Sequence, residues 1–312
     1  GVLERYRRDV QDRLSTRPFV ARPSVLSAED YADAYVGRTA AEFLTRYDDP
    51  EPWFCWVSFG GPHEPWDAPD PYASRYEPRA MPPPLEFVDL GSADRCTGVL
   101  DKLLRSPVTH PDITRQEVAE LRANYAGNLS LIDDQIGSII SVIRSRGELD
   151  NTVIVFCADH GEMNGDYGLL HKRNFLRSAV SVPLIVRLPP DLGVVHGTES
   201  DALVEWIDIG PTLVELAGGT RPGALREHGR SLVPVASGRR RAHRDSALSQ
   251  VRHESMLLTD RWKIAVNAEG CPYMLFDTVN DPTETTNLAG APEWAAVEHT
   301  VLEQLRSRLR EP

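Results

Sequence analysis

The sequence predicts a mixed α/β protein, in which a large α/β domain is followed by a smaller unit of short strands and a helix. Three observations predict it. Residues 152–158, TVIVFCA, are almost wholly apolar and β-branched, as a strand covered on both faces requires. A long helical pattern over residues 114–147 precedes that strand. From about residue 240 the texture changes to short β-rich segments followed by one helical stretch, which is the order of a separate α+β unit. The 312 residues suffice for a sizeable core, and the expected division is an α/β domain over 1–238 and a small α+β subdomain over 239–312.

Each element has its own signal. Ser27 and Asp30 form a capping-box pattern, and Tyr35, Val36, Ala40, Phe43, Leu44 and Tyr47 then recur at helical spacing until Asp48-Asp49-Pro50. WFCWVSF at 53–59 reads as a short strand with apolar residues on both faces. Residues 60–112, with PPP at 82–84, read as a long surface loop holding short helical pieces. Thr114 and Glu117 form a second capping box, and Val118, Leu121, Tyr125, Leu129, Ile132, Ile136 and Ile143 follow on one helix up to Gly147. The strand at 152–158 reads as a central parallel strand, SVPLIVRL at 181–188 as a further strand, and 208–217 as a helix closed by Gly218-Gly219. A basic linker around Arg239–Arg241 and Arg244 follows. Then come strands at 246–252, 255–266 and 273–277, and a helix at 292–310.

Composition excludes some partners. A formal net charge of −12 argues against a nucleic-acid surface, and no apolar run is long enough for a membrane span, so neither partner is expected. Cys55, Cys96, Cys157 and Cys271 form no C-x-x-C pair, and Cys55 and Cys157, inside apolar runs, are expected to be buried thiols. GVLERYRRDV has no apolar signal core and the chain does not begin with Met, which leaves localisation open.

In open α/β sheets, ligands sit beyond the carboxyl ends of strands. Two segments end that way with residues able to do chemistry: Gly61-Pro62-His63-Glu64-Pro65-Trp66 after 53–59, and Asp159-His160-Gly161 after 152–158. Asp159 offers carboxylate oxygens and His160 an imidazole nitrogen, part of a divalent-cation shell. The plainer alternative is that Asp159 caps the next turn and His160 packs beneath it. Lys172 and His63 can donate to a tetra-oxo anion, or can be ordinary surface groups. Lys102, Lys172 and Lys263 are the only lysines among 34 basic residues, which singles out a lysine beside a candidate site. Trp66 is either a stacking platform for a ligand or an anchor for its loop.

CADHGEMNGDYGLLHKRNFLRSAVSVPLIVRLPP, residues 157–190, resembles the metal- and substrate-binding stretch of the sulfatase family, particularly choline-sulfatase-like and iduronate-sulfatase-like members. WFCWVSFGGPHEPWDAPDPY, VEWIDIGPTLVELAG and MLFDTVNDPTETTNLA resemble three further segments of that family, in the same order. The resemblance covers residue 27 to the end. It implies an alkaline-phosphatase-like fold, with a mixed, mostly parallel sheet between helices and a small C-terminal antiparallel sheet plus helix. It also implies a sulfuric-ester hydrolase acting on a small-molecule or saccharide sulfate monoester. Asp159 and His160 would then be ligands of a divalent cation, commonly Ca²⁺, with Mg²⁺ and Mn²⁺ as the other options. Lys172 and His63 would bind the sulfate oxygens, with His63 assisting the leaving group. The alternatives are a phosphonate monoester or phosphodiester hydrolase of the same superfamily, and a non-catalytic sulfatase-like fragment.

The family pattern also contains a strand with two adjacent carboxylates, then C-x-P-x-R or S-x-P-x-R, whose Cys or Ser becomes formylglycine, and a G-K-x-H segment. None of these occurs here. Asp48-Asp49 ends a helix, Asp133-Asp134 lies mid-helix, Cys96 sits in DRCTGVL, and Tyr167 stands where many relatives have His. The expectation is therefore that formylglycine belongs to an N-terminal segment outside this chain and that these residues alone are inactive. Losing a central strand would expose strand edges, from which pairing with a second copy, pairing with the missing half, or poor solubility is expected.

Overall fold

The computed structural model describes residues 1–17, 19–192, 197–220 and 228–310. Its helices are α1 (Val2–Thr16), α2 (Ala32–Arg46), α3 (Val99–Leu104), α4 (Arg115–Ser145), α5 (Arg177–Val180), α6 (Ile209–Leu216), α7 (Val233–Ala236) and α8 (Ala295–Arg310). Its strands are β1 (Ile154–Cys157), β2 (Leu184–Arg187), β3 (Ala247–Val251), β4 (Glu254–Leu258), β5 (Trp262–Val266) and β6 (Pro272–Asp277). The chain forms two compact units, Gly1–Pro84 with Asp112–Asn151, and Leu85–Pro111 with Thr152–Pro312.

In the first unit α4 is the 31-residue helix its pattern predicts, opened by the Thr114–Glu117 capping box. It packs against α2, but not through the face that the aromatic spacing of α2 suggests. Tyr35 and Phe43 are 60% and 51% exposed, whereas Ala34, Gly37 and Leu44 are buried. A Cβ at Gly37 would collide with the Gln135 side chain, so the small residues are what let the two helices approach. Periodicity reveals a helix more securely than it reveals which stripe meets the neighbour. Ser27 and Asp30 do bond each other, but they shape the turn before α2, which starts at Ala32.

Hydrophobic spacing gives little sign of α1, because the most buried of its described side chains is an arginine. Arg13 is 3% exposed and donates to Asp9 Oδ2 at 2.7 Å and to the carbonyls of Arg22 and Pro23. The segment 53–59 joins no ladder among the described residues, a correction to the expected strand. It keeps a strand's alternation nonetheless: Trp53, Cys55, Val57 and Phe59 are half-buried, while Phe54 and Trp56 are 70% and 67% exposed. A strand needs a hydrogen-bonded partner, and the first unit offers none among its described residues.

In the second unit β1 and β2 form where expected but pair antiparallel, Ile154 opposite Arg187 and Cys157 opposite Leu184. Apolarity on both faces signals cover, not strand direction, so the parallel expectation had no firmer basis. The C-terminal sheet is antiparallel in the order β3-β4-β5-β6, and α8 packs on it. Successive strand residues point to opposite faces. Met256, Ala265, Met274 and Phe276 therefore pack with Leu100, Tyr167, Phe175 and Leu176 in one core. Leu257, Ile264, Val266 and Leu275 pack with Val301 and Leu305 of α8 in the other. The predicted strand 255–266 is two strands, divided at Thr259–Arg261, where the Thr259 amide donates to Trp262 O. Cys96 and Cys271 form a disulfide with a Cα–Cα distance of 6.0 Å across a sequence separation of 175, too wide for any spacing rule to show. Cys55 and Cys157 are free and half-buried rather than fully buried, and burial raises both thiol pKa values.

Candidate active site

His63 lies in the first unit, on a loop fastened from several sides. Asp33 Oδ1, on α2, accepts the amides of Gly60 at 2.9 Å and Gly61 at 3.0 Å. A side chain at 61 would collide with Asp33 and Asn128, so the turn requires glycine there. Farther along, Asn124 Oδ1 on α4 accepts the Ala68 amide at 3.0 Å, and Tyr31 donates to Asp67 Oδ1 at 2.8 Å. Trp66 is 3% exposed, which makes it the loop's anchor and not a stacking surface. On this support the His63 side chain is 47% exposed, with Nδ1 at 3.0 Å from Glu64 O and 3.1 Å from Glu64 Oε2.

The second unit carries Asp159, His160 and Lys172. Asp159 and His160 stand just beyond the end of β1, as predicted, after Ala158, and Asp159 Oδ1 accepts the His160 amide at 2.9 Å. His160 Nδ1 lies 2.9 Å from Gly161 O. A carbonyl only accepts, so Nδ1 is the donor nitrogen in this contact, which would leave Nε2 as the nitrogen able to bind a cation. Nε2 stands 3.5 Å from Asp159 Oδ2, so the two donor atoms lie close enough to face one cation. The donor set thus fits part of a hard cation's shell. Asp159 and His160 belong to no group of three or more acidic, thiol or imidazole ligands among the described residues. Gly161 donates to Ala179 O at 2.8 Å, and a Cβ there would collide with Ser178 O.

The loop from Glu162 to Lys172 is held in a costly backbone conformation. Asn164, Tyr167, His171 and Arg173 all have positive φ, 51°, 58°, 66° and 73°, so Lys172 stands between two left-handed residues. Such conformations cost about 1–3 kcal/mol each and persist where surrounding contacts impose them. Those contacts are visible. Glu162 Oε1 accepts the amides of Asn164 and His171, spanning the loop from inside, and burial raises its carboxyl pKa. Asp166 accepts the Leu85 amide at 2.9 Å and Ser178 Oγ at 2.7 Å. Tyr167, 4% exposed, donates to Thr283 O and stacks obliquely on Phe87. At this position the chain has a structural bolt, not a group presented to a ligand.

Asp159, His160 and Lys172 line one open cavity of about 2300 Å³, together with Arg173 and Arg177. Three of the four residues singled out from sequence thus share a surface, and His63 is placed within its own unit. The supporting carboxylates Asp33, Glu162 and Glu284 escaped sequence reasoning, although Glu162 directly follows Asp-His-Gly and Glu284 sits inside the D-P-x-E run.

Residues 4–219 match the family described as Sulfatase, and residues 165–311 match the one described as N-sulphoglucosamine sulphohydrolase, C-terminal. The choline-sulfatase of Rhizobium meliloti (strain 1021) is 32% identical over 263 residues, covering 80% of this chain and 49% of the relative. The multifunctional alkaline phosphatase superfamily protein PehA of Trinickia caryophylli is 29% identical over 308 residues, covering 88% of this chain and 59% of the relative. The chain thus spans between about half and three-fifths of the length of these relatives. The solved phosphonate monoester hydrolase from Silicibacter pomeroyi superposes with a TM-score of 0.78 at 26% identity, covering 99% of this chain and 69% of that one, so the fold is alkaline-phosphatase-like. By the match over most of its length, the chain belongs to the sulfatase family.

Proposed function

We propose that this chain supplies the cation- and anion-binding part of a sulfuric-ester hydrolase acting on a small-molecule or saccharide sulfate monoester. The observation that carries the reading is Lys172, held between two left-handed residues on the cavity wall it shares with Asp159 and His160. A sulfate monoester keeps one negative charge on its terminal oxygens and gains charge on the bridging oxygen as the S–O bond breaks. The Lys172 ammonium offers donors to the terminal oxygens, and a lysine fixed before the reaction need not reorganise during it. Asp159 and the His160 Nε2 lone pair would hold the cation, with Ca²⁺ favoured by the hard oxygen donor and Mg²⁺ or Mn²⁺ as alternatives. A bound cation supplies Lewis-acid polarisation of the ester. His63, on its fastened loop, is proposed to bind a sulfate oxygen and to protonate the departing alkoxide. These 312 residues contain neither C-x-P-x-R nor S-x-P-x-R, so the proposal leaves formylglycine to sequence outside them.

The likeness to the phosphonate monoester hydrolase favours one second reading, hydrolysis of phosphonate monoesters by the same residues. One experiment addresses both. The natural gene product containing this chain is assayed with 4-nitrophenyl sulfate and with a 4-nitrophenyl phosphonate monoester, before and after chelation. Sulfatase activity that falls on chelation, and falls about 10²–10³-fold in Lys172→Ala, is expected. Turnover of the phosphonate alone would replace the first reading by the second.

A further inference from the structure

Lys172 opens a short segment whose backbone groups are given to charged side chains from the C-terminal sheet and the turn that follows it. Lys263, on β5, is 2% exposed, and its Nζ donates to Phe175 O at 3.1 Å. It is ion-paired with Glu284, also 2% exposed, whose Oε2 accepts the Arg177 amide at 2.8 Å. Arg177 Nη1 reaches Pro282 O at 3.3 Å. At the other end of the same segment Glu162 accepts the His171 amide. Residues 171–177 are thereby pinned at both ends, with Lys172 and Arg173 between the pins.

This is an expensive way to hold a loop by stability alone. Desolvating both charges is unfavourable, and a well-packed apolar pair of the same size is often neutral or more stable. Burial lowers the Lys263 ammonium pKa, and Glu284 acts against that trend. Glu284 also sits at φ 57°, a second unfavourable feature at the same place. What the pair provides, and an apolar pair would not, is a donor for the Phe175 carbonyl and an acceptor for the Arg177 amide.

We infer that Lys263 and Glu284 are positioning residues for the Lys172 turn, so that the C-terminal sheet forms part of the anion site without touching the anion. The inference rests on the reading of Lys172 as an anion-binding group. Isothermal titration of the natural gene product with inorganic sulfate separates the two ideas. Sulfate binding lost in Lys172→Ala establishes the site; no Lys172-dependent binding overturns the site and the inference together. Given the site, the double variant Lys263→Met/Glu284→Met is expected to stay folded, by circular dichroism and a cooperative melt, while its sulfate Kd weakens at least about tenfold. A folded double variant with the wild-type Kd overturns the positioning role and leaves the site intact. Should that variant fail to fold, hydrogen exchange on the wild-type protein decides. Coupling is reciprocal, so saturating sulfate is expected to slow exchange of the Arg177 amide at least about threefold, and unchanged exchange overturns the inference.

Discussion

The two ladders of the second unit are built from similarly apolar sequence, yet they have different surroundings. In β4, β5 and β6 consecutive residues are buried on both faces, between the Tyr167–Phe175 core and α8. In β1 and β2 no residue is buried, and Ile185 is 62% exposed. An apolar run thus states that a strand is to be covered, whereas the cover itself comes from other parts of the chain.

The largest effect that sharpens this contrast is cavity formation. Leu275→Ala in β6, at a site with no exposure, should cost about 2–5 kcal/mol in urea unfolding. Ile185→Ala in β2 should stay within about 0.5 kcal/mol. Equal costs at the two positions would mean that Ile185 is covered in solution, and the contrast would collapse.

A second test concerns how the C-terminal sheet is tied to the segment before α3. Cys96→Ser/Cys271→Ser should lower stability by about 2–4 kcal/mol, and reductant should lower the melting temperature of the wild-type protein but not of this variant. Melting that reductant leaves unchanged in both would show that the bridge adds no constraint to the sheet.

The smallest effect moves the contrast to a charged group in the first unit. Burial raises the pKa of Asp67 to about 6, although Tyr31 donates to it. An unfolded aspartate titrates near 4. The folded state therefore holds the proton more tightly, and the resulting stabilisation is complete below about pH 4 and lost as pH rises through 6. A tenfold difference in proton affinity between the folded and unfolded chain is worth about 1.4 kcal/mol, so unfolding measured at pH 4.5 and pH 7.5 should show about 2 kcal/mol of this dependence. Asp67→Asn should remove it; an unchanged slope would assign the dependence to other groups.

Much of the candidate site was legible because the residues proposed for it stand in short contiguous runs. Asp159-His160-Gly161 ends an apolar strand, and Lys172 is one of three lysines in the chain. The same scarcity applied to Lys263, but only the fold shows its ammonium buried against Glu284. Asp33 gave no signal, since it looks like an ordinary helical acid until its carboxylate meets the Gly60 and Gly61 amides. The Cys96–Cys271 bridge and the Arg13 contacts that seat α1 were silent for the same reason, being partnerships between distant or polar residues.

By itself the sequence determined the mixed α/β class, the long capped helix α4, the C-terminal strands with their closing helix, and the residues that stand at strand ends. These follow from periodicity, caps and breakers, which act over a few residues through local sterics and hydrogen bonding. Only the tertiary structure decided that β1 pairs antiparallel with β2, that α2 presents Gly37 and not its aromatics to α4, and that Lys172 stands on a turn pinned by Glu162, Lys263 and Glu284. Those outcomes depend on which buried polar group finds which partner across a hundred residues, and burial makes that choice energetically decisive without leaving a pattern in the neighbouring sequence.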